Sequence, residues 1–426
     1  MKEKSKKLAA ITTAAFALPG MLPKTAMAQS APEDYEVSYR YNKYQEGDGT
    51  TNPGTANQSS IARYDIDIHQ LAIIAPVSSR FALSLDVASE TMSGASPWFI
   101  TENNDGEAIV NFSGPSITEE RNDVSIAANY YLDNARIGVG IANSTENDYV
   151  SNSVSLSTGL LFNDKNTTLD FGLSYSDDEV NPRITFLNPT FDDDGNPDTP
   201  EVPTLPQDLI PIDQFDGGRV EERQDKESVS FFTGVSQIIN KNLLLGGGFS
   251  YGRSTGFLSD PYKLVEVAGP FNLLRDSRPD EREQVSVEAR ARQFLPSIYA
   301  ALHADYRYYT NTWGVDSHTL SFGWYQNFAS WQPSLRVRLY DQSEANFFDN
   351  SFEEERADGY YSSDYRLSTY SAVSVKAGLK KKVSFGSLHL SYENYQTGES
   401  YLDSDAALSP ALVDFDLFSL GFNSHF

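Results

Sequence analysis

From residue 35 onward the chain alternates. Tyr35, Val37, Tyr39 and Tyr41 share one parity, with Glu36, Ser38 and Arg40 between them. Tyr64, Ile66 and Ile68 interleave with Asp65, Asp67 and His69, and Phe81, Leu83, Leu85 and Val87 stand against Ala82, Ser84, Asp86 and Ala88. Successive side chains of an extended strand point to opposite faces, so each segment has one apolar and one polar face. A helical period is hard to find, and the chain reads as all-β. Sixteen such segments are legible: 34–44, 61–73, 80–90, 121–132, 135–145, 149–162, 167–177, 225–239, 242–254, 283–295, 297–309, 316–329, 332–344, 365–379, 387–397 and 413–426. Each is long enough to cross a bilayer as a tilted strand, which takes about 9–11 residues.

The connections sort by parity. The even-numbered gaps are turns, such as Ala75–Ser79, Asp133-Asn134, Asn163–Asn166 and Asn240-Lys241, whereas the odd-numbered ones are mostly long: 45–60, 91–120, 178–224, 255–282, 345–364 and 398–412. Short turns at one rim and long loops at the other predict a transmembrane up-and-down antiparallel β-barrel, with periplasmic turns and extracellular loops. Unpaired backbone groups in lipid cost several kcal/mol each, so the first strand is expected to pair with the sixteenth. The last strand alternates Phe418, Leu420 and Phe422 up to the terminal Phe426. This resembles the C-terminal signal of outer-membrane barrels generally, although Ser424 stands where an apolar residue is usual.

The N-terminus carries Lys2, Lys4, Lys6 and Lys7, an apolar stretch from Leu8 to Leu18, and Ala26-Met27-Ala28. That order predicts a secretory signal peptide over 1–28 and a single barrel domain over 29–426. The 398 residues after the cut hold 28 basic and 58 acidic side chains and no cysteine. A net charge of −30 excludes nucleic acid as a partner, and the absence of cysteine excludes disulfides, thiolate metal sites and covalent haem. A mean hydropathy of −0.43 fits a barrel as well as a soluble chain, because alternation hides the apolar half.

If the apolar parity faces lipid, the other faces a lumen. Two clusters then stand out as lumen or rim candidates: Asp65, Asp67 and His69, and the basic set Arg290, Arg292, Arg336 and Arg338, with His303, Asp305 and Arg307 nearby. Arg63 and Arg366 fall on the same parity. Facing each other, the two clusters would set a transverse field across a pore; the alternative is a ladder of ion pairs bracing the wall. Asp65, Asp67 and His69 are also a chemically suitable metal set with His303 or His389. In the loop 178–224, Asp192, Asp194, Asn196 and Asp198 place oxygens at every second position around Gly195, similar to a calcium loop, against the alternative of a solvated acidic flap. Gly248-Phe249-Ser250-Tyr251-Gly252 matches G-x-S-x-G, but Phe249 and Tyr251 continue the strand alternation and no helix follows, so no catalytic residue is assigned.

Four stretches carry a family resemblance: Ser93–Trp98 (SGASPW), Asp305–Thr319 (DYRYYTNTWGVDSHT), Pro333–Phe348 (PSLRVRLYDQSEANFF) and Ser363–Leu367 (SDYRL). With these the chain resembles a family of roughly 400-residue bacterial outer-membrane barrels of unknown function. The resemblance implies genomic neighbours that include a small lipoprotein, a thioredoxin-like protein and a flavin transferase. It brings no catalytic residues. Its tightest stretch, 305–319, makes the surroundings of His303, Asp305, Arg307 and His318 the first expectation for a functional rim.

The expected role is an outer-membrane channel or passive transporter for a polar small solute or ion. The alternative is a non-conducting sheath or docking partner for periplasmic or surface proteins, redox proteins among them. No cofactor is expected beyond calcium at the acidic loop. Expected partners are outer-membrane lipid, lipopolysaccharide and the barrel assembly machinery.

Overall fold

The computed structural model describes residues 31–51, 58–102, 108–112, 119–181, 223–269, 272–403 and 406–426. The expected signal peptide and the candidate calcium ligands Asp192, Asp194, Asn196 and Asp198 lie outside the described residues. Sixteen antiparallel strands close into one barrel. They are β1 (Glu36–Glu46), β2 (Asp65–Ser78), β3 (Phe81–Ser93), β4 (Glu119–Tyr131), β5 (Ala135–Thr145), β6 (Tyr149–Phe162), β7 (Thr167–Val180) and β8 (Gln224–Asn240). There follow β9 (Leu243–Gly256), β10 (Glu281–Leu295), β11 (Ala300–Asn311), β12 (Asp316–Gln326), β13 (Trp331–Gln342), β14 (Tyr370–Val383), β15 (Gly386–Gly398) and β16 (Phe415–His425). Every strand anticipated from the alternation is present.

Each strand pairs with its neighbours in sequence, and β1 closes on β16 from Glu36↔His425 to Glu46↔Phe415. Tyr35 and Phe426 extend the seam by exchanging both backbone hydrogen bonds, at 3.0 and 3.1 Å, with their rings stacked 6.0 Å apart. The terminal aromatic therefore clamps the closure that leaves no free edge.

The two faces separate cleanly along most strands. Ile126, Val139, Ile141, Val154, Leu156, Leu173, Val287, Phe322, Leu390 and Leu420 are exposed on the outside. Near the short turns Phe162, Tyr299, Phe328, Trp331, Phe385 and Phe426 form an exposed aromatic girdle, as at a membrane interface. An apolar belt this extensive cannot face water and marks the barrel as membrane-spanning. Inside, Ser151, Ser153, Ser174, Ser176, Ser228, Ser230 and Ser254 line β6–β9. Small residues leave room for longer neighbours: a Cβ on Gly246 or Gly248 would meet the side chains of Arg290 and Glu288, which lie along the wall.

At the long-loop end several of the described connections fold inward. Hairpin Pro97–Glu102/Ala108–Phe112 and hairpin Leu264–Glu266/Leu273–Arg275 leave the barrel at points well separated around the ring, yet Phe99, Leu264 and Leu273 share one buried cluster. Residues 343–369 add Phe352 and Tyr361 against Val265 and Val267, and Ile100, Val110 and Ala411 form a third cluster beside Tyr365. Ile100, Val265 and Val267 are almost fully buried. These segments form a packed cap across the mouth, which amphipathic loops in water would not do. The first of them starts at Gly94 (φ +122°), where a Cβ would collide with the Arg63 carbonyl oxygen; only glycine combines that backbone with that approach.

Candidate functional site: a capped lumen

The lumen wall is charged on both halves, and the halves differ. On the β3–β8 side bases and acids pair: Arg121 with Asp123 (3.2 Å) and Glu90 (3.8 Å), Arg136 with Asp170 (3.8 Å), and Lys226 with Asp178 (3.1 Å). On the β10–β15 side the register sets residues in rows. One row runs Arg292, His303, Gly323, Arg336, Lys376 and Glu393; the next runs Arg290, Asp305, Ser321 and Arg338. Arg292 reaches Asp305 at 2.5 Å, Arg290 contacts Glu288, and Lys376 lies 3.7 Å from Glu393. Arg336 has instead the Tyr325 hydroxyl at 3.3 Å, and Arg338 sits over the rings of Tyr340 and Tyr395. Tyr325 also packs on His303, centroids 4.4 Å apart. Arg307 lies over Tyr309.

Thus Arg290, Arg292, His303, Asp305, Arg307, Arg336 and Arg338 all face the lumen, as their parity implies. Asp65, Asp67 and His69 do not. Their strand places Ile66 and Ile68 inside, packed with Tyr44, Tyr64 and Leu417, and turns the acidic residues outward against Lys43, Tyr41 and Tyr39. The reason is the cap: at this end the interior is roofed and apolar, while the outer face stands beyond the hydrocarbon belt, where charge is well solvated. The transverse field expected from these acids is therefore absent. A metal set joining His69 to His303 or His389 is also ruled out, since His69 lies outside the wall and the other two lie within. His318 likewise faces out, its Nδ1 2.8 Å from the Tyr306 hydroxyl. Among the described residues no group of three or more His, Asp or Glu side chains is arranged to hold a metal ion. Ser250 lies mid-strand in β9, flanked by outward Phe249 and Tyr251.

Arg63 and Arg366, expected on strands, belong to the cap. Arg63 bonds Glu46 (3.1 Å) and the carbonyls of Ala411 and Leu412, which ties the roof to the β1 rim. Arg366 lies in a 3-10 turn, Tyr365–Leu367, at the centre of a buried ion cluster. Asp364 accepts from Arg366 (2.8 Å) and Arg278 (2.9 Å), Arg278 also holds Asp276 (2.7 Å), and Arg366 reaches Asp260 (2.6 Å). Lys263 donates across to the Pro97 carbonyl (2.6 Å). Burial pushes the Asp364 carboxyl up, but the adjacent Arg366, with Lys263 and Arg278, outweighs this and holds it well below the usual carboxylate range.

The sequence reading missed this cluster. Its members come from two distant loops, and the signal available was S-D-Y-R-L, quoted above only for resemblance. The other resembling stretches end here too: Pro97 and Trp98 in the first hairpin, and Trp313 packed with Ala345, Phe347, Phe348 and Leu367.

A second titratable group guards the rim. In the 146–148 turn, burial pushes the Glu146 carboxyl up to about 8, against the pull of Arg121 3.5 Å away. The neighbouring Asp148 accepts from the Tyr262 hydroxyl of the cap. A carboxyl raised in the folded state takes up a proton on folding. Its contribution is complete below the unfolded pKa of about 4.3 and is lost as pH rises through the folded value. Amide exchange in this turn is therefore expected to accelerate as pH rises from about 4 to about 8, and Glu146→Gln should flatten the profile. Exchange independent of pH, after correction for the intrinsic rate, would refute the assignment.

A family model described as a protein of unknown function, DUF3570, matches residues 8–408. No curated protein matches the chain. Among solved structures the chain is similar to a bacterial polysaccharide outer membrane secretin, with 10% identity over 91% of this chain and 97% of that one and a TM-score of 0.43. It is similar to CdiB from Acinetobacter baumannii at 9% identity, covering 92% of this chain and 60% of that one, TM-score 0.48. It is also similar to OccD3 (OpdP) from Pseudomonas aeruginosa at 9% identity, covering 94% of each, TM-score 0.40.

Proposed function

This chain belongs to the DUF3570 family of proteins of unknown function, and from that premise we propose that it is a passive outer-membrane channel for small polar solutes, gated at its extracellular mouth by the inward-folded cap. The observation that carries this reading is the inner wall. Serines on β6–β9 and basic residues on β10–β14 make a surface that water wets along its length, where a dry core would have to be apolar. Sixteen-stranded barrels are wide enough for an aqueous channel. Short turns at one rim and long loops at the other support an orientation with the turns and both barrel ends toward the periplasm.

A second reading, a non-conducting sheath, is favoured by the packing of the cap, whose apolar clusters are as buried as a protein core. Planar-bilayer recording decides between them. The channel reading expects discrete conductance steps from folded, heat-modifiable protein. Silence from such protein, persisting when the cap is cut by protease, would leave the sheath.

A further inference from the structure

We infer that the β10–β13 wall holds a binding step for oxyanions, so that the solutes taken by the lumen carry a carboxylate or phosphate group. The inference deepens the channel reading and rests on it for transport, though not for binding. Its basis is the contrast between Arg336 and Arg338 and the paired bases elsewhere on the wall, Arg290 and Arg292 among them. Arg121, Arg136 and Lys226 each have a carboxylate. Arg336 and Arg338 have none among the described residues; their partners are tyrosine hydroxyls and rings.

The Nε atoms of both arginines, and the Nδ1 of His303 in the same rows, are buried without any hydrogen-bond partner. Such atoms are rare in folded proteins, and three in one patch call for a group that the chain itself does not supply. A guanidinium without a carboxylate partner also attracts a counter-charge. Across the row Arg292 stands opposite His303, and Gly323 separates His303 from Arg336 without a side chain of its own. Tyr325 fills that gap and orients the Arg336 head. Guanidinium forks recognise planar or tetrahedral oxyanions by paired hydrogen bonds, which an ammonium or a neutral wall cannot do. Lys380 continues the cationic parity toward the periplasmic end. A chain with a formal charge of −26 thus presents a positive track where a solute would pass.

Two measurements test this on the full barrel. Calorimetric titration in detergent uses inorganic phosphate and succinate as separate probes. Reversal potentials in a KCl gradient give the chloride-to-potassium permeability ratio. Wild type is expected to bind at least one probe and to favour chloride. The Arg336→Gln/Arg338→Gln pair should weaken binding about tenfold and lower the permeability ratio roughly threefold or more. Lys381→Gln, which removes an outward cation stacked on Trp331, should change neither. If the glutamine pair fails to fold, Arg336→Lys/Arg338→Lys keeps the charge, and should retain chloride preference while losing most of the binding. Binding of succinate alone or of phosphate alone identifies the group recognised. Conductance without anion preference and without binding of either probe overturns the inference and leaves the channel. Binding in a silent barrel does the reverse.

Discussion

Replacing Asp364 with alanine is expected to unlatch the cap while leaving the barrel closed. The carboxylate is fully buried and is shared by Arg278 and Arg366, with Lys263 close enough to add to the field. Deleting it leaves three cations in a site from which water is excluded. Removing one partner of a buried ion pair typically costs about 3–5 kcal/mol. The cost falls locally, because Asp364 bonds only to cap residues while the strands keep their ladders. Limited proteolysis should therefore begin to cut within 343–369 in the variant, and single-channel conductance should rise. A carboxyl depressed in the folded state contributes stability above its unfolded pKa of about 3.9 and loses it only as pH falls through the folded value. The latch should thus hold unchanged from about pH 4 upward in the wild type. A variant with wild-type protease pattern and conductance would show that the cluster does not hold the cap.

The second large effect tests where the membrane lies. Leu156 is half exposed at the middle of β6, paired with Val139 and Leu173 in the outer belt. Leu156→Arg should destabilise the bilayer-inserted barrel by about 2–4 kcal/mol, the range for a cation at the midplane. Glu120 faces the same way at the long-loop end of β4, level with Thr91. Glu120→Arg should cost about 0–1 kcal/mol, because that end lies beyond the hydrocarbon. Reversible denaturant unfolding from lipid vesicles measures both. Equal costs would mean that the exposed belt is not sitting in lipid.

The same contrast between mid-strand and rim explains what was legible beforehand. Along β6 the alternation Val154, Leu156 against Ser153, Ser155 is complete, and the assignment of faces from parity is correct. Along β2 the pattern is equally regular, yet the assignment is inverted for Asp65, Asp67 and His69. Parity states only that two faces differ; it does not say which one meets lipid. Where a strand rises past the hydrocarbon and under a roof, the apolar face turns inward and the polar face becomes the solvated one. The basic row Arg290, Arg292, Arg336 and Arg338 was readable because it lies within the belt. Its distinguishing feature, two arginines without carboxylates, was not readable, because it depends on which side chains the register brings alongside.

What the sequence determined by itself is the alternation, direction and closure of the strands, about sixteen in number; the closed barrel has sixteen. Those follow from a two-residue period and from turn chemistry, both properties of short stretches of backbone. What only the tertiary structure decided is the cap and everything it reverses. Residues 97–102, 108–112, 257–269, 272–280, 343–369 and 411 are far apart in sequence and carry no shared period. They meet because buried charges such as Asp364 and Arg366 reach satisfaction only in one another's company, and because apolar side chains such as Ile100 and Val265 leave water only by packing across the mouth.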